Sequence, residues 1–188
     1  MKNSYKNKNC LVTGGGGFIG KSLIRELLKL GSQVTVLDNF LFSDYNSVSY
    51  IKNDLVVGDV RDIAAFQNLP KERYHYVFHL GAPSTTAYYK NDFTKCNDIT
   101  IHGFINAINF AYKNKARFIY ATSGSVYSGI QTPHSESRIL NFDRLNIYAK
   151  NKVITELIAK TYWPNFKSLG VRILAGYGPG EEHNDNVL

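Results

Sequence analysis

The chain of 188 residues is poor in cysteine, proline, methionine and tryptophan, with two, five, one and one of them. Cys10 and Cys96 lack the C-x-x-C spacing of a zinc ligand pair, so neither a metal site nor a disulfide framework is expected. Reduced thiols are the default of a cytoplasmic protein, and Cys10, inside an apolar run, reads as core. No apolar run approaches the roughly 18 residues of a membrane span, and no signal peptide is visible. A cytoplasmic protein with no membrane partner is expected. Acidic residues are also scarce, 15 against 22 basic, which leaves a net charge of +7. The lysines are scattered and form no basic-aromatic cluster, so no nucleic-acid partner is expected. A mild positive field favours a small phosphorylated substrate. There is no internal repeat and no low-complexity linker. Composition and length suit one soluble globular domain.

What the chain does have is glycine in one place. The run Cys10-Leu11-Val12-Thr13 leads into four consecutive glycines, Gly14 to Gly17, then Phe18-Ile19-Gly20 and an amphipathic helix from Lys21 to Leu30. Strand, tight glycine turn and helix make the local grammar of a dinucleotide-binding βαβ unit. Glycine lets the backbone approach a ligand closely, and a helix start suits a pyrophosphate. Two registers fit. Gly15, Gly17 and Gly20 satisfy G-x-G-x-x-G, while Gly14, Gly17 and Gly20 satisfy G-x-x-G-x-x-G. A flexible loop that binds nothing is the bland reading.

Before the glycines, residues 1–9 are polar and basic and read as a short loose arm. After the first helix, Gln33 to Leu37 is a second strand that ends in Asp38-Asn39. Asp38 is placed to accept hydrogen bonds from an adenosine ribose, and it would repel a 2′-phosphate, which favours NAD over NADP. A merely solvated Asp is the alternative. Residues 40–52 read as loop and Leu55-Val56-Val57 as a third strand. Asp62 is placed to cap a helix from Ile63 to Leu69, which Pro70 ends. Tyr76 to Leu80 is a fourth strand opening into Gly81-Ala82-Pro83-Ser84-Thr85, small residues that leave room for a cofactor. A helix over residues 98–112, a fifth strand over 117–121 and an irregular polar stretch over 133–143 follow. A helix over 145–162 and a sixth strand over 168–174 complete the pattern. Regular alternation predicts an α/β fold, a doubly wound parallel sheet covered on both faces. Ligands of such folds lie beyond the carboxyl ends of the strands, where the glycine tract, Asp38, Asp59, Gly81-Ala82 and Ser123 all fall.

Tyr148 and Lys152 are four residues apart, one above the other on a helix. A phenol titrates near 10. A neighbouring ammonium and a cationic nicotinamide both favour the phenolate, so Tyr148 is suited to take a hydroxyl proton while hydride leaves the same carbon. Ser123 would share that hydrogen bond. Taken singly, Tyr148 reads equally as a packed aromatic and Lys152 as a solvated charge.

Together these segments resemble the extended short-chain dehydrogenases/reductases, in the NAD-dependent epimerase/dehydratase group that acts on nucleotide sugars. The resemblance runs from residue 9 to about 183. It is carried by Thr13-Gly14-x-x-Gly17-Phe18-Ile19-Gly20, Leu37-Asp38-Asn39, Gly58-Asp59-Val60-Arg61-Asp62 and His79-Leu80-Gly81-Ala82. Ser123-x-x-Val126-Tyr127, Tyr148-x-x-x-Lys152 with Glu156, and Tyr177-Gly178-Pro179-Gly180 complete the set. It implies a Rossmann fold, NAD as cofactor and the register Gly14, Gly17, Gly20. It implies Asp59 and Val60 beside the adenine, Leu80 to Ala82 along the cofactor, and Ser123, Tyr148 and Lys152 as the catalytic trio. Ser84, Thr85, Ser123, Ser125 and Tyr148 would meet the substrate.

Dehydratases of this group carry Asp-Glu after the catalytic Ser/Thr, and a glutamate is usual at the second of those positions in the UDP-glucuronate decarboxylases. Here Gly124-Ser125 offer no carboxyl group, which leaves oxidation and re-reduction, as in a 4-epimerase. A reductase of the same group, or a non-catalytic NAD-binding module, is the competing reading. Thr100 and Ala175 stand where the family often has Asn. The resemblance further implies an NAD-binding domain over 1–175, the start of a truncated substrate-binding region over 176–188, and a homodimer through helices 98–112 and 145–162.

Overall fold

Side chains alternate across the first strand, and that alternation builds two cores. In a computed structural model that describes residues 4–51 and 54–179, strand β1 (Asn9–Thr13) sends Cys10 and Val12 to one side and Leu11 to the other. Helix α1 (Phe18–Lys29) covers the first side through Ile24 and Leu27, packed with Val34 and Val36 of β2 (Gln33–Asp38). The other side holds the larger core. There Leu11, Leu37, Val77 of β4 (Tyr76–His79) and Phe118 of β5 (Arg117–Ser123) meet three helices. Those helices are α2 (Ile63–Gln67), α4 (Phe93–Asn114) and α5 (Ile147–Thr161).

With β3 (Leu55–Val57) and β6 (Ser168–Ile173), the strands form one parallel sheet in the order β3-β2-β1-β4-β5-β6. This is a doubly wound α/β domain of Rossmann type, with the strand order reversing between β1 and β4. Cover is uneven, contrary to the sequence expectation. On edge strand β6, Leu169 and Val171 are 59% and 43% exposed, because no helix of the described residues packs on the face they share, while Arg172 on the opposite face meets α5. Among the described residues no helix is long and apolar enough to cross a membrane.

Local chemistry moves several boundaries. Gly17 takes the N-cap, so α1 starts at Phe18 rather than Lys21. Asp92 accepts from Lys95 N at 3.0 Å and starts α4 at Phe93, five residues earlier than the periodicity indicated. A helix missed in the sequence, α3 (Thr86–Asn91), is capped by the Thr85 hydroxyl. Asn146 caps α5 by accepting from Ala149 N at 2.9 Å. Asp62 caps α2 as expected, accepting from Ala64 N at 2.8 Å. The loop after β2 holds a 3₁₀ turn, Tyr45–Val48, whose Val48 is fully buried.

Residues 4–8 are not loose. Tyr5 packs its ring on Tyr76 at 4.9 Å, its carbonyl accepts from the Ser32 hydroxyl, and Asn7 N donates to Gly31 O at 2.9 Å. Asn9 already belongs to β1. Residues 1–3, and most of the expected start of a second region at 176–188, lie outside the described residues.

Candidate active site

The turn after β1 forms because two glycines leave no room for a side chain. Gly14 has φ +71°, and a Cβ there would lie 2.6 Å from Gly81 N. At Gly20 a Cβ would run into the carbonyl of Gly14 and lie 2.7 Å from Gly15 Cα. The backbones of β1, β4 and α1 therefore touch. No side chain caps α1, and its first turn holds no acidic residue, so its amide N–H groups are left for an anion.

Asp38 holds this turn from the end of β2. Its carboxylate accepts from Gly16 N at 2.9 Å, Phe40 N at 2.8 Å and the Ser43 hydroxyl at 3.3 Å. A carboxylate has about four acceptor positions, so three donors from its own chain leave little for a ribose. Structural support of the glycine turn is thus a role of Asp38 that spacing alone did not reveal.

Beyond the strand ends lies a cavity of about 680 Å³, within the range of small-molecule and cofactor sites. Gly14, Gly17, Phe18, Ile19, Gly20, Asp38, Asn39, Val60, Leu80, Gly81 and Ala82 line its cofactor half as read from the sequence. Ser84, Thr85, Ser123, Ser125, Tyr148 and Lys152 line it as well. Asp59 is the exception. Arg61 grips its carboxylate through Nε at 3.0 Å and Nη2 at 2.8 Å, and Asn39 Nδ2 donates to it at 2.9 Å. These bonds hold the Asp59 carboxyl below the usual carboxylate range, the hydrogen bond from Arg61 being the chief cause. Asp59 thus braces the segment that presents Val60, and Arg61 ties it onward to Asp98 of α4 at 2.7 Å.

Other wall residues were not singled out in the sequence. Leu41, Phe42 and Ser43 come from the loop after β2, Thr86, Ala87 and Lys90 from α3, and Ile173, Leu174 and Gly176 from the end of β6, next to Ala175, which stands where the family often has Asn. The Phe42 ring packs on Tyr88 at 4.4 Å, joining the β2 loop to α3. No spacing rule links two segments so far apart in sequence.

Ser123, Tyr148 and Lys152 meet in the cavity although they come from two elements. Ser123 ends β5 and caps the 3₁₀ turn Gly124–Tyr127, its Oγ accepting from Ser125 N at 3.1 Å. That leaves its O–H free to donate. Tyr148 and Lys152 share the inward face of α5, with Lys152 Nζ 5.6 Å from the Tyr148 ring centroid. Burial pushes Lys152 down to about 8. Burial raises the Tyr148 phenol, and the Ser123 hydrogen bond only partly opposes it. The sequence expectation counted on both the ammonium and a bound nicotinamide to favour the phenolate; within the protein alone, desolvation of the buried phenol is the larger effect.

Behind the trio, His79 is buried, accepts or donates at Nδ1 to the Thr13 hydroxyl at 2.8 Å, and is pushed down to about 3 by burial and by Lys152. It is a neutral imidazole in the core. Thr100, where Asn was the family's usual residue, turns away from the cavity. Its hydroxyl donates to Cys96 O at 2.8 Å and pairs with Tyr89, whose ring meets Tyr148 edge-on at 5.6 Å. At Gly124 a Cβ would lie 2.9 Å from Leu174 Cγ, so the exposed Leu174 side chain would have to shift for a longer residue.

Residues 10–188 match the NAD dependent epimerase/dehydratase family. The chain is 30% identical over 190 residues to an ADP-L-glycero-D-manno-heptose-6-epimerase of Alkalilimnicola ehrlichii, covering 94% of this chain and 56% of that protein. It is 26% identical to UDP-glucuronic acid decarboxylase 1 of Arabidopsis thaliana over 187 residues, or 93% of this chain and 41% of that one. The solved structure of epimerase Mth375 from Methanothermobacter thermautotrophicus superposes with a TM-score of 0.86 at 28% identity, covering 96% of this chain and 55% of that one. The chain spans about half the length of the curated relatives it matches.

Proposed function

The chain belongs to the NAD-dependent epimerase/dehydratase family, and on that premise we propose that it is the cofactor-binding and catalytic part of a nucleotide-sugar epimerase, acting at C4. The carrying observation is that the glycine turn and the group Ser123, Tyr148 and Lys152 line one cavity. The residues fit NAD. Gly14 and Gly20 clear the floor of the turn, α1 offers uncapped amides, and Val60 and Leu80 supply apolar wall. Bound NAD supplies a hydride acceptor that also returns the hydride. The protein's own work is proton transfer and orientation. The Ser123 hydroxyl donates to the sugar oxygen. As the phenolate, which the positive nicotinamide of bound NAD would favour against burial, Tyr148 would take the proton of the sugar hydroxyl, and it would give the proton back when the keto-sugar is reduced from its other face. Lys152 stands beside the phenol as a cation that favours its ionised form.

Gly124-Ser125 support epimerisation over elimination or decarboxylation, since no carboxyl group stands at either position after Ser123. Residues 1–175 form the NAD-binding domain in this reading, and 176–188 begin a substrate-binding region. A homodimer is proposed through α4 and α5, where Leu157 is 53% exposed beside half-buried Ile101, Ile105 and Ile154. Sedimentation showing only monomer at micromolar concentration would remove the dimer.

The central test is Tyr148→Phe. Turnover of UDP-sugars should vanish while NAD binding persists, and unchanged turnover sinks the assignment. Net NADH formation at 340 nm with a nucleotide sugar would instead indicate a dehydrogenase or reductase. A non-catalytic NAD-binding module is the second reading. It predicts a thermal shift with NAD and none with UDP- or TDP-sugars.

A further inference from the structure

Behind Ser123, the Arg172 guanidinium and three polar side chains from three other elements form one hydrogen-bonded cluster. Arg172 of β6 donates to Glu156 of α5 through Nε at 2.9 Å and Nη2 at 2.7 Å. Its Nη1 donates to the Tyr127 hydroxyl at 2.8 Å. The Thr122 hydroxyl of β5 donates to Glu156 Oε1, also at 2.8 Å. The pair is largely withdrawn from water, with side chains 15% and 12% exposed. The guanidinium also lies over the Tyr127 ring, 5.0 Å from its centroid.

A buried ion pair is a poor stabiliser, because desolvating two charges offsets most of their attraction. Its geometry here gives it another use. Thr122 immediately precedes Ser123 and faces Arg172 across the β5–β6 register. Tyr127 closes the 3₁₀ turn that Ser123 caps. Glu156 stands one helical turn beyond Lys152 and two beyond Tyr148. Every element that carries a member of the trio is therefore tied to one planar fork, and a fork fixes direction as well as distance.

We propose that Arg172 and Glu156 are positioning residues that lock the end of β5 against α5 and so set how Ser123 meets Tyr148 and Lys152. This rests on the trio assigned above. Neither residue lines the cavity, so the pair acts through Thr122, Tyr127 and the helix and not on a ligand.

The test compares the full chain with Glu156→Gln, Arg172→Lys and the double variant Glu156→Leu/Arg172→Met, by amide hydrogen exchange and NAD titration. UDP-glucose oxidation by the NAD-loaded chain is followed in parallel. In Glu156→Gln, segments 122–128 and 147–153 should exchange about tenfold faster while 14–20 is unchanged, with the NAD Kd within about twofold of the parent. Arg172→Lys should give the same pattern, because an ammonium keeps the charge and loses the fork. The apolar pair should melt near the parent temperature and still lose protection in both segments. Sugar oxidation should drop on the order of 100-fold at constant KM. Unchanged protection in the two segments, or equal loosening everywhere, overturns the proposal. Exchange decides it whether or not the parent oxidises UDP-glucose. A parent chain that binds NAD but leaves the sugar untouched counts only against the proposed reaction.

Discussion

The carboxylate of Asp38 accepts the amide hydrogen of Gly16 at 2.9 Å, so the end of β2 holds up the glycine turn that follows β1. Phe40 N and the Ser43 hydroxyl complete its partners. Replacing Asp38 with Asn keeps the shape but removes the charge and turns one acceptor into a donor facing N–H groups. Hydrogen bonds to charged groups contribute about 1.5–3 kcal/mol each. The NAD Kd of Asp38→Asn should rise between about 10-fold and 100-fold by calorimetric titration. A Kd within twofold of the parent would mean that the turn stands without Asp38.

Gly14 and Gly17 should separate stability from binding. Gly14→Ala combines a left-handed φ with a Cβ pressed against Gly81 N, and should cost roughly 2–5 kcal/mol in urea unfolding. At Gly17 a Cβ would meet Gly14 O at 3.3 Å, and the residue lines the cavity. Gly17→Ala should therefore stay within about 1 kcal/mol of the parent yet bind NAD markedly more weakly. Equal stability losses in the two variants would contradict this division.

Lys152 predicts a pH dependence with a definite sign. Burial lowers its folded-state value to about 8, against about 10.4 in an unfolded chain. Between those values the unfolded chain keeps a proton that the folded chain has released, so this group makes stability rise with pH. Below pH 8 the full cost of burying the ammonium is present. Lys152→Met should be more stable than the parent near pH 7.5, and its advantage should shrink by about 2 kcal/mol by pH 9.5. Paired denaturant curves at the two pH values cancel the tyrosine titrations common to both proteins. A constant difference would show that Lys152 is not desolvated.

The amino-terminal segment gives a simpler check. Tyr5 rests on Tyr76, and its carbonyl receives the Ser32 hydroxyl. Tyr5→Ala should lower stability by about 1 kcal/mol, read from the urea midpoint. No change would restore the reading of residues 4–8 as a loose arm.

Much of this site was legible because its signals are local. A helix start, a strand end and a four-residue spacing are properties of short windows, so the glycine tract, Asp38, and Tyr148 with Lys152 stood out without any fold, although the register of the tract did not. Asp59 shows the limit. The family resemblance put it beside the adenine, and only the fold shows that Arg61 beside it takes its carboxylate. Helix α3 escaped because it has six residues, too few for a periodic pattern to register. Phe42 and Lys90 escaped because a cavity wall is a meeting of distant segments.

By itself the sequence determined the alternation of strands and helices and the place of the glycine turn, because each follows from chain geometry over a few residues, while the register Gly14, Gly17, Gly20 and the grouping of Ser123, Tyr148 and Lys152 came from the family resemblance. The tertiary structure decided what those groups experience. Burial alone raises Tyr148 and lowers Lys152, since desolvation depends on everything packed around a charge. Only the folded sheet brings Thr122 opposite Arg172, and only the packing of α5 on that sheet brings Glu156 to both.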